Sequence, residues 1–411
     1  MKRSAASVCR NETAVSVHPP HLIIACGGTG GHFYPTLAVA QAFCALYRQR
    51  QEKSGGVAAG EARVTFLVSG SHAAEQQAIA REAGFAAIPV EAVRLPRSVT
   101  EALLFPWRLL HSWQVSRRVL ASLKGDVMLS MGSYAAVPPT LAWPWRRRPL
   151  VLHEGNTVMG KANRFAALFA RRVALSLPLR DKGRSVSAKG CLAGMPLREA
   201  VVQGGGTPLT ASGRSVLLER FGLHTGRRTV LLFGGSQGAQ ALNRMLAEVL
   251  PLLPETLREQ LQFIALTGTD DNAYLRQCME KHAVPARICR SDQQIEECYR
   301  VADLIVCRGG ASSLCEIALY GRPLIIVPLP GAADNHQYWN ARAFEEAGAA
   351  RLLPQAAGAS AFAALLRNWQ EEPEKWSDMG ARAIAHFARP AAAQAVAGVL
   401  LETLDGSDGR D

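Results

Sequence analysis

A titratable side chain that closes a run of glycines is the first feature with chemical potential. Gly27-Gly28-Thr29-Gly30-Gly31-His32 follows the apolar run His21–Cys26 and precedes a helix opening near Pro35. Glycines let the backbone approach a ligand closely, and a helix start offers unpaired N–H groups to an anion. The imidazole of His32 titrates near working pH, as a general base must. Two familiar uses of such a loop fail. It lacks the Gly-Lys-Ser/Thr ending of a P-loop, and the next apolar run, Val64–Gly70, leads into Ser71 rather than the acid that holds a dinucleotide ribose. A merely tight strand-to-helix turn explains the glycines but not the histidine.

A second loop of the same kind, Gly234-Gly235-Ser236-Gln237-Gly238-Ala239, follows Leu231–Phe233. Its hydroxyl and first-turn N–H groups would cradle a diphosphate. Further on, Arg308 ends an apolar run and Ala311-Ser312-Ser313-Leu314-Cys315-Glu316 opens a helix. Glu316, one turn in, would accept both hydroxyls of a ribose, or serve only as a favourable first-turn charge. Asp334 to Asn340 offers His336, Gln337 and Asn340 to sugar hydroxyls, with a capped amphipathic helix as the alternative. Gly132-Ser133-Tyr134, His153-Glu154-Gly155-Asn156 and Gly194 to Arg198 are smaller polar or glycine-rich candidates. Arg198 would reach a phosphate, although a lone arginine is usually a surface residue.

The formal charge of +12 and a pI near 9.5 favour an anionic partner. Between Glu91 and Arg180 fourteen basic residues face four acidic ones. Nucleic acid is not expected, since no zinc-finger or RNA-binding signature accompanies the charge. Leu103, Leu104, Phe105, Trp107 and Arg108 instead lie among Arg94, Arg97, Arg117, Arg118 and Lys124, a pattern suited to an anionic bilayer surface. A core helix with a solvated basic face competes with that reading. Trp143 to Arg148 forms a second aromatic and basic cluster.

Elements must place these residues at strand ends. Apolar runs alternate with amphipathic stretches throughout the 411 residues, which indicates an α/β fold of two doubly wound Rossmann-like domains facing across a cleft. We expect strands at 21–26, 64–70, 85–90, 127–131, 150–153 and 172–177, then at 229–233, 262–267, 287–289, 304–307, 323–327 and 350–353. The organisation reads as an N-terminal extension to residue 20, a first domain over 21–200, a glycine-rich linker over 201–214, a second domain over 215–378, closing helices over 379–404 and a polar tail. Nine cysteines without a CxxC pair suggest a reducing compartment, and the charged N-terminus lacks the apolar stretch of an export signal. The uncharged run Val127–Trp145 contains three prolines and reads as strand, loop and short helix rather than a membrane span.

Taken in order, the two glycine loops, His153 to Asn156, Arg308 to Glu316 and Gln337 to Asn340 resemble the MurG glycosyltransferase family of bacteria, over about residues 21 to 390. The resemblance implies a GT-B fold and inverting transfer of N-acetylglucosamine from UDP-GlcNAc to the lipid-linked muramyl-pentapeptide, lipid I, giving lipid II. It implies work at the cytoplasmic face of the inner membrane, in cell-wall biogenesis, with other cell-wall synthesis proteins as partners. Carried over residue by residue, Thr29, Gly30 and Gly31 meet donor and acceptor and His32 is the base. Asn156, Gln337 and Asn340 contact the donor sugar, Arg198 and Ser236 the diphosphate, and Ala311 to Glu316 the nucleoside. No cofactor and no protein-bound metal are expected. The chain departs from that pattern at Gly155, where glutamine is frequent, at Ser133, where glycine is common, and at His336, where glutamine is usual. Another enzyme of the same fold, such as a UDP-GlcNAc 2-epimerase or a lipid or sterol glycosyltransferase, and a non-catalytic sugar-nucleotide sensor are the alternatives.

Overall fold

Strands buried on both faces must be apolar along their whole length, and the expected runs are of that kind. The structure, a computed structural model, describes residues 18–27, 30–54, 60–93, 96, 98–181, 186 and 188–406, with backbone alone at 30–32, 54, 102 and 236–239. The first sheet holds β1 (His21–Ala25), β2 (Arg63–Val68), β3 (Ala86–Pro89), β4 (Val127–Ser130), β5 (Leu150–Glu154), β6 (Arg172–Leu175) and β7 (Gly190–Leu192). The second holds β8 (Arg228–Phe233), β9 (Leu261–Leu266), β10 (Ala286–Cys289), β11 (Leu304–Cys307), β12 (Leu324–Ile326) and β13 (Arg351–Leu352). All twelve expected strands are present. The additional one, β7, is a three-residue edge strand paired only with β6, too short to carry a pattern.

Strand orders are β3-β2-β1-β4-β5-β6-β7 and β10-β9-β8-β11-β12-β13, parallel throughout. Each sheet therefore begins at its centre, winds outward, and returns to lay the next strand on the other side of the first. The loops after β1 and β4, and after β8 and β11, diverge and open a crevice at each switch point. Both glycine loops sit there.

Residues 201–214 are not a loose linker. Glu199–Gly206 is a helix, and Thr210 caps the next, Ala211–Arg220, by accepting from Gly213 N at 3.1 Å. The glycines serve packing: a Cβ on Gly205 would lie 2.8 Å from Leu319 Cβ, and one on Gly204 would lie 2.6 Å from the Tyr320 hydroxyl. That hydroxyl donates to Val201 O at 2.8 Å. Glycine content read as an interdomain linker in the sequence, and in the fold it is the close approach of two helices.

The chain then crosses back. Helix Pro373–Phe387 covers the second sheet, with Phe387 stacked on Phe344 at 3.8 Å. Helix Ala392–Asp405 buries Val396, Ala397, Leu400 and Leu401 against Val39 and Phe43 of helix Gly30–Ser54 in the first domain. Arg50 meets Asp405 at 2.9 Å and Arg171 donates to Gly406 O, so contacts with the first domain continue past the expected start of a polar tail. Val127–Trp145 divides into β4, a turn at Tyr134–Ala136 and a helix, Val137–Ala142.

Gly205→Leu forces its side chain into Leu319 and is expected to cost about 1–3 kcal/mol, the usual penalty for overpacking. A fall in Tm of several degrees would show it. An unchanged Tm would mean the helix docks loosely after all.

Candidate functional site

Four loops at the carboxyl ends of β1, β5, β8 and β11 converge on the cleft. The first glycine loop is pressed into place: a Cβ on Gly27 would lie 2.7 Å from Ser69 O and from Ala135 Cβ. Helix Gly30–Ser54 starts within that motif, a turn earlier than the opening expected near Pro35. Thr29 lies outside the described residues, as do the side chains of His32 and Ser236. The backbone puts His32 in the first turn at the first switch point and Ser236 in the first turn of helix Gly235–Val249 at the second. Both helix starts aim unpaired N–H groups into the cleft.

After β11 the chain needs glycine for contact. A Cβ on Gly309 would fall 2.2 Å from Gln337 O, so the strand end and the start of helix His336–Glu346 touch backbone to backbone. Gln337 completes that contact, its Oε1 accepting from Gly309 N at 3.2 Å and Leu329 N at 3.0 Å. Its oxygen is thus committed, and its amide nitrogen is the group with which it would meet a sugar. Arg308 has a different task from a ligand arginine. It is buried and donates to Val327 O at 3.0 Å, Pro328 O at 3.3 Å and Gln355 Oε1 at 2.8 Å.

In helix Ala311–Tyr320 the predicted contacts divide. Ser312 and Ser313 are half-buried at the cleft, while Leu314 and Cys315 face the core and burial pushes the Cys315 thiol up to about 12. Side-chain contact from Leu314 or Cys315 to a ligand is therefore corrected to packing, with helical periodicity the reason. Glu316 accepts from the Tyr299 hydroxyl at 2.9 Å. Burial raises its carboxyl above the ordinary range, and the Tyr299 hydrogen bond and the Arg198 charge pull it back. Arg198 precedes helix Glu199–Gly206, and its guanidinium lies 5.4 Å over the Tyr34 ring of helix Gly30–Ser54. One cation thus links the first glycine-loop helix to the acid of the second domain.

Glu154 organises the loop after β5. This buried carboxylate accepts from Asn156 N at 2.9 Å and Asn156 Nδ2 at 3.2 Å with one oxygen. The other takes Gly160 N at 3.0 Å and Asn163 Nδ2 at 2.9 Å. So held, the loop meets the second domain. Asn340 Oδ1 accepts from Thr157 N at 2.9 Å and Thr157 Oγ1 at 3.1 Å, and its Nδ2 donates to Asn156 Oδ1 at 3.0 Å and Gly309 O at 2.9 Å. Asn340 is fully buried. Asn156 and Asn340, expected as sugar contacts, are joined to each other across the cleft, which makes Asn340 a junction residue in this arrangement. Sequence reasoning missed Thr157 and undervalued Glu154; no spacing signal marks residues that act across domains.

Two further contacts reinforce the junction. Asp334 accepts from Arg164 at 2.9 Å with Lys161 at 3.9 Å, and the Arg180 guanidinium covers the Trp339 ring at 3.5 Å. Asp334 and Asn335 both adopt left-handed backbone, φ 50° and 53°. His336 Nδ1 lies 2.7 Å from Ala333 O and carries the proton there, so the residue that departs from the expected glutamine holds this turn.

Helix Val99–Leu123 differs in exposure along its length. Leu103 and Trp107 are each 71% exposed and Leu104 50%, while Arg108, Arg117 and Arg118 are also exposed. Only its second half is packed: Ser116 and Leu120 are buried, and His21 Nδ1 lies 3.0 Å from Leu123 O. Phe105 is half-buried and turned inward. Trp143 is core, its indole donating to Arg148 O at 3.1 Å, so the second cluster offers arginines but not that tryptophan.

Comparison with known proteins agrees with this geometry. Residues 54–175 match the glycosyltransferase family 28 N-terminal domain and residues 229–395 its C-terminal domain. A Verminephrobacter eiseniae protein is 38% identical over 335 residues, covering 81% of this chain and 85% of its own length. It is named UDP-N-acetylglucosamine–N-acetylmuramyl-(pentapeptide) pyrophosphoryl-undecaprenol N-acetylglucosamine transferase. The crystal structure of Acinetobacter baumannii MurG superposes with TM-score 0.69 at 23% identity, covering 93% of this chain and all of that one. A UDP-GlcNAc 2-epimerase from Neisseria meningitidis bound to UDP-GlcNAc superposes with TM-score 0.59 at 12% identity, covering 94% of this chain and 99% of that one. The architecture is GT-B.

Asn340→Asp would turn a carboxylate oxygen toward the Asn156 and Gly309 oxygens. We expect loss of about 1–3 kcal/mol at the junction, from unpaired and repelling buried groups, and a wider mean separation of the domains. Small-angle scattering would read a larger radius of gyration, and hydrogen exchange a faster Thr157 amide; no change in either would remove Asn340 from the junction.

Proposed function

The chain belongs to glycosyltransferase family 28, and from that premise we propose that it transfers N-acetylglucosamine from UDP-GlcNAc to the 4-hydroxyl of the muramyl sugar of undecaprenyl-pyrophosphoryl-MurNAc-pentapeptide. The product is lipid II, the peptidoglycan precursor. The observation that carries the reading is the placement of Arg198 between Tyr34 and Glu316. It puts a cation where the first glycine-loop helix and the nucleoside acid approach each other.

Inversion requires a single displacement at the anomeric carbon, with the acceptor oxygen entering as the UDP bond breaks. His32, in the first turn of helix Gly30–Ser54, takes the acceptor proton. A base needs the neutral imidazole. Charge gathering on UDP is met by the N–H groups of helix Gly235–Val249 and by Arg198. Glu316 holds the ribose hydroxyls, and the Tyr299 hydroxyl leaves it lone pairs to do so. The epimerase shares the fold but not the acceptor; the 38% identity to a protein named as a transferase favours transfer.

The acceptor's prenyl chain lies in a membrane. Exposed Leu103, Leu104 and Trp107, flanked by Arg108, Arg117 and Arg118, support peripheral binding to the anionic cytoplasmic face of the inner membrane.

His32→Ala is expected to lower kcat about 10²–10⁴-fold, the usual worth of a general base, with UDP affinity by calorimetry unchanged. Turnover equal to wild type would remove His32 as base. Replacing Leu103, Leu104 and Trp107 together with Ser should reduce sedimentation with phosphatidylglycerol vesicles at least tenfold without lowering Tm; undiminished sedimentation would place the membrane contact elsewhere.

A further inference from the structure

Behind Glu316 stands a phenol closed off from solvent. Tyr299, on helix Ile295–Val301, is fully buried, and its hydroxyl donates to Glu316 Oε2 at 2.9 Å. A phenol in an apolar interior needs a partner for its O–H, and a carboxylate is a strong one. The ring is fixed on two sides. Its centroid lies 6.0 Å from that of Phe233 and 5.1 Å from that of Tyr320. Phe233 ends β8, directly ahead of the second glycine loop. Tyr320 closes helix Ala311–Tyr320, and its hydroxyl reaches Val201 O in the helix that Arg198 precedes.

Tyr299 therefore touches parts of the donor side whose relative placement matters: the strand end before the diphosphate loop, the nucleoside acid and, through Tyr320, the helix after Arg198. With Oε2 turned by the phenol, Glu316 keeps Oε1 and a further lone pair for other donors. Two ribose hydroxyls need an ionised carboxylate, because a protonated one brings a donor of its own. Burial opposes ionisation and raises the Glu316 carboxyl above its ordinary range. The groups that face it are Tyr299 and Glu296 on helix Ile295–Val301, Arg198 ahead of helix Glu199–Gly206, and Cys315 and Tyr320 on its own helix. The Tyr299 hydrogen bond and the Arg198 charge lower the carboxyl, and Glu296 raises it.

We propose that Tyr299 is a positioning residue for the nucleotide: its hydroxyl turns the Glu316 carboxylate toward the ribose, and its ring sets that carboxylate's distance from the diphosphate loop. The proposal rests on the reading of Glu316 as the ribose acid of a UDP-GlcNAc transferase. A site built to bond a hydroxyl rejects the analogue that lacks it, so selection of ribose over deoxyribose is the property that Tyr299 controls. A pH dependence follows as well. The ionised carboxylate is the binding form, so nucleotide affinity is present above the folded pKa and is lost as pH falls through it. Without the phenol that pKa rises further, and the loss begins at higher pH.

Calorimetry of the full chain with UDP and with 2′-deoxy-UDP, across a series of pH values, tests the role. Wild type is expected to bind UDP at least about tenfold more tightly than the deoxy analogue. Tyr299→Phe removes one atom and keeps the ring, with Tm reporting the fold. It should weaken UDP about ten- to a hundredfold, as loss of a hydrogen bond to a charged group does, bring the two nucleotides close to equal affinity, and move the acid loss of binding to higher pH. In turnover, KM for UDP-GlcNAc should rise by a similar factor while kcat stays within about threefold, the pattern of lost uniform binding. Glu316→Gln should abolish the acid loss of binding, and adding Tyr299→Phe to it should weaken UDP no more than about threefold further, a coupling that a packing role does not produce. Additive losses in that pair, or a Tyr299→Phe variant with wild-type discrimination and pH profile, overturn the positioning role alone. Wild type that binds neither nucleotide, or both equally, overturns the donor reading of Glu316 and the Tyr299 role with it.

Discussion

Parallel sheets place every helix start on the same edge, and each start carries N–H groups that the helix cannot satisfy. In this chain two such sheets present their switch points to one cleft, with glycine loops after β1 and β8. A diphosphate leaving group needs donors already in position when its charge develops. Backbone N–H groups at helix starts meet that need without a titration step or a long side chain to be ordered. Around this arrangement stand Arg198, a charge between the domains, and Glu316, a carboxylate held by the Tyr299 hydroxyl in the second domain.

Closure draws on a smaller set of bonds. Glu154, buried but given four hydrogen bonds, stiffens the loop that carries Asn156 and Thr157. A buried carboxylate left unpaired would be costly, so the loop folds around it or not at all. Stiffened in this way, the loop binds Asn340 of the opposite domain. A donor sugar that takes the Asn156 or Asn340 amide must replace a bond between the domains. Any ligand that took those groups would share them with the domain junction, and each would then change the free energy of the other by the same amount.

Much of the fold was legible because strands buried on both faces leave continuous apolar runs, and every expected strand is present. The short edge strand β7 left no such trace. Gly204 and Gly205 misled for a physical reason: glycine serves flexibility and close packing equally well, and only the Leu319 and Tyr320 neighbours distinguish them. At the site, type and spacing put the candidate loops at strand ends, where the structure has them. Residues acting across the cleft were not readable, since Thr157 and Asn340 are 183 positions apart. Leu314 and Cys315 were included because a motif is contiguous, whereas a helix turns successive side chains about 100° away from one another.

The exposed half of helix Val99–Leu123 is a cost in water that the first domain carries. Leu103 and Trp107 gain nothing from the core, and Pro106 lies inside the helix that presents them. The buried second half and the His21 contact to Leu123 fix one end while the apolar end projects. An enzyme whose donor is soluble in water and whose acceptor ends in a prenyl chain must meet its substrates from two phases. The glycine loop after β8 and Glu316 belong to the second domain, and the projecting apolar helix belongs to the first.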